Sequence, residues 1–186
     1  MASANLNIMI KAARKAGRSL VKDFREVENL QVSVKGAGDF VSRADHAAEA
    51  IIKDELRGAR PNYGWVGEET GAEPGEDPTR RWIVDPLDGT KEFVQRRGDF
   101  TVNIAYVLHG TPVRGVVYAP ARGRLFYTLA DGRSVEEIGP FRDTPGEVRP
   151  IGVNPVPDNR ALMVVASKSH RDRATDDYIA RYGVRD

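Results

Sequence analysis

The 186-residue sequence contains no cysteine. Disulfides and thiolate metal sites are thereby excluded, and any metal must be held by oxygen or imidazole. The lack of disulfides also fits a reducing compartment. No apolar run approaches the roughly 18 residues needed to cross a bilayer, and the opening MASANLNIMIKAARKAG has no long apolar core. Nor is there an excess of either charge: 28 basic and 27 acidic residues leave a formal +1. That balance supplies no global field to draw in a nucleic-acid polymer or a membrane surface. Short basic clusters (RGAR, TRR, QRR) read as solvated faces, and no internal repeat occurs. These absences predict a soluble, cytoplasmic protein with neither polymeric nucleic acid nor membrane insertion among its partners.

What is present is enough apolar sequence for a core, 40% of residues, in a chain long enough for one domain or one domain and part of a second. Leu6, Met9, Ala13, Ala16, Leu20 and Phe24 recur at three or four residues and predict an amphipathic helix over 4–25. LQVSVK, residues 30–35, alternates like a half-buried strand, KGAGD reads as a loop, and a second helix is expected over 42–58, with Ala48, Ile51, Ile52 and Leu56 inward. YGWVG and RWIVD predict strands separated by an acidic, turn-rich loop. After DPLDGT and one helical turn, three strand candidates (FTVNIAYVLHG, PVRGVVYAP, GRLFYTLA) suggest an antiparallel meander. Residues 131–160 read mostly as loop, ALMVVAS as a strand, and 169–183 as a helix with Ser169 as its N-cap. The interleaving of helices and strands around an antiparallel middle argues for an α+β layered fold.

Acidic residues stand at element ends: Asp45, the pair Glu68–Glu69, Asp85 and Asp88. Each alone has an ordinary structural explanation. Asp45 follows Ser42 in the S-x-x-D spacing of a capping box, the glutamates can open a solvated loop, and Asp, Pro and Gly are all turn formers. Together they suggest more, because YGWVGEE and RWIVDPLDGT are both apolar strands that end in carboxylates. If those strands are neighbours, Glu68, Asp85 and Asp88 converge at one sheet edge and raise one another's pKa. A hard divalent cation relieves that repulsion, and oxygen-only ligands select Mg²⁺ or Mn²⁺. Pro86 is expected to stiffen a turn from which Asp85 and Asp88 splay to different points, so that one can bridge two ions.

GDFVSRAD…E, GEE and DPLDGT, in this order, resemble the signature set of the inositol monophosphatase superfamily of Mg²⁺-dependent, lithium-sensitive phosphatases. The resemblance implies a layered αβαβα sugar-phosphatase fold like that of fructose-1,6-bisphosphatase, cut short at its C-terminus. Residues 1–186 would then form an N-terminal α+β domain and the start of a C-terminal α/β part. It further implies two or three Mg²⁺ ions, with Mn²⁺ as substitute, Li⁺ inhibition, a small phosphorylated substrate and a homodimer. Metal ligands would be Glu68, Asp85, Asp88 and the Leu87 carbonyl, with the Thr90 hydroxyl. Glu68 and Thr90 would activate the attacking water, and Asp45 would hydrogen-bond Thr90. Asp88, Gly89 and Thr90 would meet the phosphate. Glu69 would support a hydrated metal, and Lys35 stands where the family often keeps a lysine.

Up to about Thr90 the chain is similar to bacterial inositol-1-monophosphatases, and from Lys91 onward (DGTKEF, GDFTVNIAYVLHGTPVRGVVYAP, VVASKSHRDRATDDYI) to bacterial 3′(2′),5′-bisphosphate nucleotidases. The Trp-Asp pair that completes the family's second metal site does not occur, since Trp65 and Trp82 are followed by Val66 and Ile83. The expected activity is thus 3′-phosphoadenosine 5′-phosphate hydrolysis, with inositol 1-phosphate hydrolysis as alternative and a weakly active or inactive metal-binding remnant as a reading of another class. Lys91, Arg96 and Arg97 would either meet a second phosphate or simply face solvent. His46, His109 and His170 are assigned to the surface or to supporting roles.

Overall fold

The computed structural model describes residues 4–29, 34–139, 146–153, 162–167 and 171–184. The chain divides into two compact units, Met1–Ile151 and Gly152–Asp186. In the first, helices α1 (Ala4–Asn29) and α2 (Val34–Ala59) precede strands β1 (Tyr63–Gly67), β2 (Gly71–Glu73) and β3 (Asp77–Asp88). A short helix α3 (Thr90–Val94) follows, then β4 (Thr101–Leu108), β5 (Thr111–Ala119), β6 (Arg124–Thr128), β7 (Ser134–Ile138) and β8 (Glu147–Ile151).

The eight strands form one sheet in the order β2-β1-β3-β4-β5-β6-β7-β8. Every neighbouring pair is antiparallel except β1 and β3. The excursion through β2 returns the chain so that β3 starts beside β1 in the same direction. The predicted apolar stripes are the ones buried: Leu6, Met9, Ala13, Ala16 and Leu20 of α1, and Ala48, Ile52 and Leu56 of α2. They meet Trp65, Trp82, Val84, Ile104, Val116 and Leu125 from the strands in one core. Burial of each large side chain contributes about 1.5–3 kcal/mol. Alternation along β3 buries Trp82 and Val84 and leaves Ile83 41% exposed on the other face. The core therefore anchors β1 and β3 rigidly up to the point where the acidic residues begin. Among the described residues no helix is long and apolar enough to cross a membrane.

The structure corrects several expectations. α2 begins at Val34, so KGAGD is helical and not a loop, and the last two residues of LQVSVK belong to the helix; the remainder of that expected strand lies outside the described residues. Propensity is a weak prior, and the glycine penalty of about 1 kcal/mol each is overridden here. Because Ser42 lies well inside α2, Asp45 is not part of a capping box. DPLD continues β3 as extended chain instead of turning. The acidic loop contains the short β2.

Residues 131–160 contain β7 and β8, hidden from sequence reading because two of the buried positions of β7 are charged and β8 is exposed throughout. Glu136 and Glu137 are only 1% and 4% exposed. Arg124 and Arg149 pair with Glu136, while Arg14 and the Gly146 N–H satisfy Glu137. Buried carboxylates are tolerated on such terms.

In the second unit Leu162 makes a single parallel bridge with Val184. The described part of ALMVVAS is otherwise irregular, with Met163 and Val165 exposed. A β-prone run needs a neighbour for its backbone hydrogen bonds, and propensity does not supply one. Helix α4 (Arg173–Ile179) is shorter than expected and is capped by Asp172, which accepts from the Thr175 N–H at 2.8 Å. Ser169, the expected cap, lies outside the described residues.

Candidate active site

The parallel pairing of β1 and β3 sets Gly67 opposite Val84. The Glu68 N–H then donates to the Val84 carbonyl at 3.1 Å, which brings the residue after β1 alongside Asp85. Their carboxyls are hydrogen-bonded to each other. The adjacency that sequence reading made conditional is thus met.

Asp85 and Asp88 reach one face by a different route from the expected turn. Asp85 pairs with Asn103 and Asp88 with Thr101, so three steps on β3 match two on β4. That is a β-bulge, placed at Pro86, which has no N–H for the ladder. In a regular strand residues three apart point to opposite faces. The extra residue cancels that inversion and puts Asp85 and Asp88 on the same side. Asn103 Nδ2 approaches Asp88 Oδ2 at 3.4 Å, and Thr101 Oγ1 approaches Asn103 Oδ1 at 3.2 Å. The Leu87 N–H donates to Asp85 Oδ1 at 3.2 Å.

Gly89 follows in the left-handed region, with φ of 91°. A Cβ there would lie 2.8 Å from the Asp99 carbonyl oxygen, so glycine is required both for conformation and for space. It opens α3, whose first residue, Thr90, donates its hydroxyl to the Leu87 carbonyl at 3.2 Å. The resemblance implied that this hydroxyl bonds Asp45; here it is turned to Leu87.

Asp45 enters from α2 and is 6% exposed. Its Oδ1 is buried without a hydrogen-bond partner. Burial, then the neighbouring charges of Glu69, Glu68 and Asp85, push its pKa up to about 8. Asp85 is raised to about 7 by burial, by its bond to Glu68 and by the charges of Glu68 and Asp88, against the lowering effect of the Leu87 N–H. Asp45 also hydrogen-bonds Glu69, which in turn receives His46 Nδ1 at 2.9 Å. The site therefore gathers Glu68, Glu69, Asp85 and Asp88 around a buried Asp45, so that like charges crowd together. Among the described residues no three acidic or histidine side chains close into a ready-made ion cage. The donor set is nevertheless suited to a hard dication: it is all oxygen, it includes a buried and unpartnered Asp45 atom, and it carries an unmet demand for positive charge.

Sequence reasoning did not single out Glu49, which is fully buried behind this site. Its signal was legible: a carboxylate one helical turn after Asp45, set among the apolar positions Ala48 and Ile52. Lys91, Arg96 and Arg97 are exposed, and His109 sits in the tight turn between β4 and β5 with φ of 50°. The Lys35 side chain and His170 fall outside what is described.

The sequence profile of the inositol monophosphatase family matches residues 2–184. The chain belongs to this family. Among curated family relatives, an inositol-1-monophosphatase of Mesorhizobium japonicum is 56% identical over 130 residues, 70% of this chain and 49% of that protein. The 3′(2′),5′-bisphosphate nucleotidase CysQ of Escherichia coli is 37% identical over 180 residues, 96% of this chain and 69% of the relative. The chain thus spans about half the length of the inositol-1-monophosphatase relatives it matches. Among solved structures, CysQ from Bacteroides thetaiotaomicron, described as a bacterial member of the inositol monophosphatase family, superposes with a TM-score of 0.75 at 29% identity. That match covers 96% of this chain and 69% of the other. The α+β layered architecture expected from sequence is the family's.

Proposed function

We propose that this family member hydrolyses small phosphomonoesters with Mg²⁺, and that its substrate is a 3′(2′),5′-bisphosphate nucleotide such as 3′-phosphoadenosine 5′-phosphate. The observation carrying the reaction class is the meeting of Glu68, Asp85 and Asp88 at the end of paired β1 and β3, with Asp45 facing them from α2. Glu68, Asp85, Asp88 and the Leu87 carbonyl would hold the ions, with Mn²⁺ as substitute and Li⁺ as inhibitor. Bound there, such ions supply Lewis-acid neutralisation of phosphoryl charge and a water of lowered pKa.

The chain's own groups do the rest. Glu68, with Thr90, orients the attacking water and accepts its proton at a carboxylate oxygen. Asp88 and the N–H groups of Gly89 and Thr90 face the phosphate. Asp45, wedged behind Glu68 and Asp85, sets the local charge balance. The domain reading is that residues 1–186 form an N-terminal α+β domain and the start of a C-terminal α/β part. A cytoplasmic location and a homodimeric state belong to the same proposal.

The nucleotide assignment is supported by the length of the CysQ match, 96% of the chain. A second reading, inositol 1-phosphate hydrolysis, is favoured by the higher identity to an inositol-1-monophosphatase over 130 residues. Parallel turnover assays of both substrates, with Mg²⁺ and with chelator, decide between them. Faster Mg²⁺-dependent release of phosphate from the bisphosphate is expected. Negligible release from both would end the hydrolase reading.

A further inference from the structure

Glu49 is a carboxylate with 0% exposure, an expensive placement unless its oxygens are satisfied. Its donors are two backbone N–H groups and one hydroxyl, all from the turn after β1. The Glu69 N–H reaches Oε2 at 2.8 Å, the Thr70 N–H reaches Oε1 at 3.0 Å, and Thr70 Oγ1 reaches Oε1 at 2.5 Å. The Thr70 hydroxyl is itself oriented, because it accepts from Trp65 Nε1 at 3.1 Å and so must donate towards Glu49. Gly67 lets the helix side chain come this close: a Cβ there would lie 2.5 Å from Glu49 Oε1 and 2.6 Å from Trp65 Nε1.

Glu68 is therefore held from both sides. Its own N–H is bonded to Val84 on β3, and the next two N–H groups are bonded to Glu49 on α2. The Glu69 side chain adds a further tie to α2 through His46 Nδ1 at 2.9 Å, but only Glu49 holds the backbone N–H groups of the turn, and the Glu68 side chain faces Asp85. We propose that Glu49 is a positioning residue, whose buried carboxylate clamps the Glu68–Thr70 turn to α2 and so fixes the Glu68 carboxylate against Asp85. It touches neither substrate nor ion and acts only through Glu68. The proposal rests on the phosphatase reading for its consequence, but the clamp itself is independent of it.

The experiment uses the full chain and the variants Glu49→Gln, Thr70→Val, Thr70→Ser and Leu125→Ala. Leu125 is a fully buried residue on β6, away from the turn, and serves as a control for general loss of stability. Amide hydrogen exchange by NMR reads the Glu69 and Thr70 N–H groups, and calorimetry reads Mg²⁺ affinity. In Glu49→Gln a donor replaces one acceptor, so both amides should lose protection and Mg²⁺ affinity should fall at least about tenfold, the scale of outer-shell effects. Thr70→Val should show a smaller loss of both, and Thr70→Ser should keep the protection. Leu125→Ala should melt earlier yet retain protected amides and Mg²⁺ affinity. Unchanged amides in Glu49→Gln, or equal losses in Leu125→Ala, would overturn the clamp. If Glu49→Gln does not fold, Thr70→Val decides, and unchanged amides there overturn it. Should the parent chain bind no Mg²⁺ and release no phosphate, the phosphatase reading fails, while the exchange data still judge the clamp.

Discussion

The Glu68 N–H donates to the Val84 carbonyl at 3.1 Å, and through that one backbone bond the end of β1 is set beside the Asp85 carboxyl. A candidate site whose acids are scattered over the sequence depends on this parallel register. Its energetic signature is repulsion between buried acids, and most of the expected outcomes below follow from that.

Asp85→Asn removes the carboxylate whose charge bears on Asp45 and which neighbours Glu68 and Asp88. Mg²⁺ affinity should fall by more than about tenfold, and turnover by roughly a thousandfold, the cost of several kcal/mol of lost charge stabilisation. Without metal the same variant should melt at a higher temperature than the parent, because a buried like charge is gone. Calorimetric titration and a melting curve in chelator test the two halves; a variant that binds Mg²⁺ like the parent refutes the ligand assignment.

The pH response of the metal-free protein has a definite sign. Asp45 and Asp85 stand at about 8 and about 7 in the fold, against an ordinary carboxylate near 3.8. The folded state therefore holds protons that the unfolded chain releases, so these two groups favour folding at low pH. Stability from them should decline as pH rises from about 4 through 8. Melting temperatures in chelator across that range should show the decline, and Asp45→Asn should flatten it.

Mg²⁺ should act in the opposite sense. A cation bound only by the fold raises the melting point in proportion to the logarithm of its concentration above Kd. The gain should be largest near pH 8, where the carboxyls would otherwise have to ionise unaided. A flat melting temperature from zero to tens of millimolar Mg²⁺ would remove the metal from the account.

Gly89→Ala tests the bend that follows the bulge. The left-handed φ and the 2.8 Å approach to the Asp99 carbonyl oxygen are both unfavourable to a Cβ. A loss of about 1–2 kcal/mol in urea unfolding is expected, with turnover reduced through displaced Thr90. A neutral effect on both would show that the backbone there adapts freely.

Much of this was legible in the residues. The helical stripes of α1 and α2, the strands β1 and β4 to β6, and the acids Glu68, Asp85 and Asp88 follow from periodicity and from carboxylates at the ends of apolar runs. What escaped reading was what depends on a distant partner. β7 looked like loop because Glu136 is buried only by virtue of Arg124 and Arg149. The apolar run at 162–167 looked like strand although only Leu162 finds a bridge.

Local sequence thus determined the composition of the site and excluded thiolate chemistry, since residue type and short-range periodicity are properties of the chain itself. Tertiary structure alone decided that Asp85 and Asp88 share a face, that Asp45 is a buried acid and not a helix cap, and that Glu49 holds the turn bearing Glu68. The reason is physical: a bulge exists only relative to the strand it mismatches, and the protonation of a carboxyl is set by burial and by neighbours that lie far away along the chain.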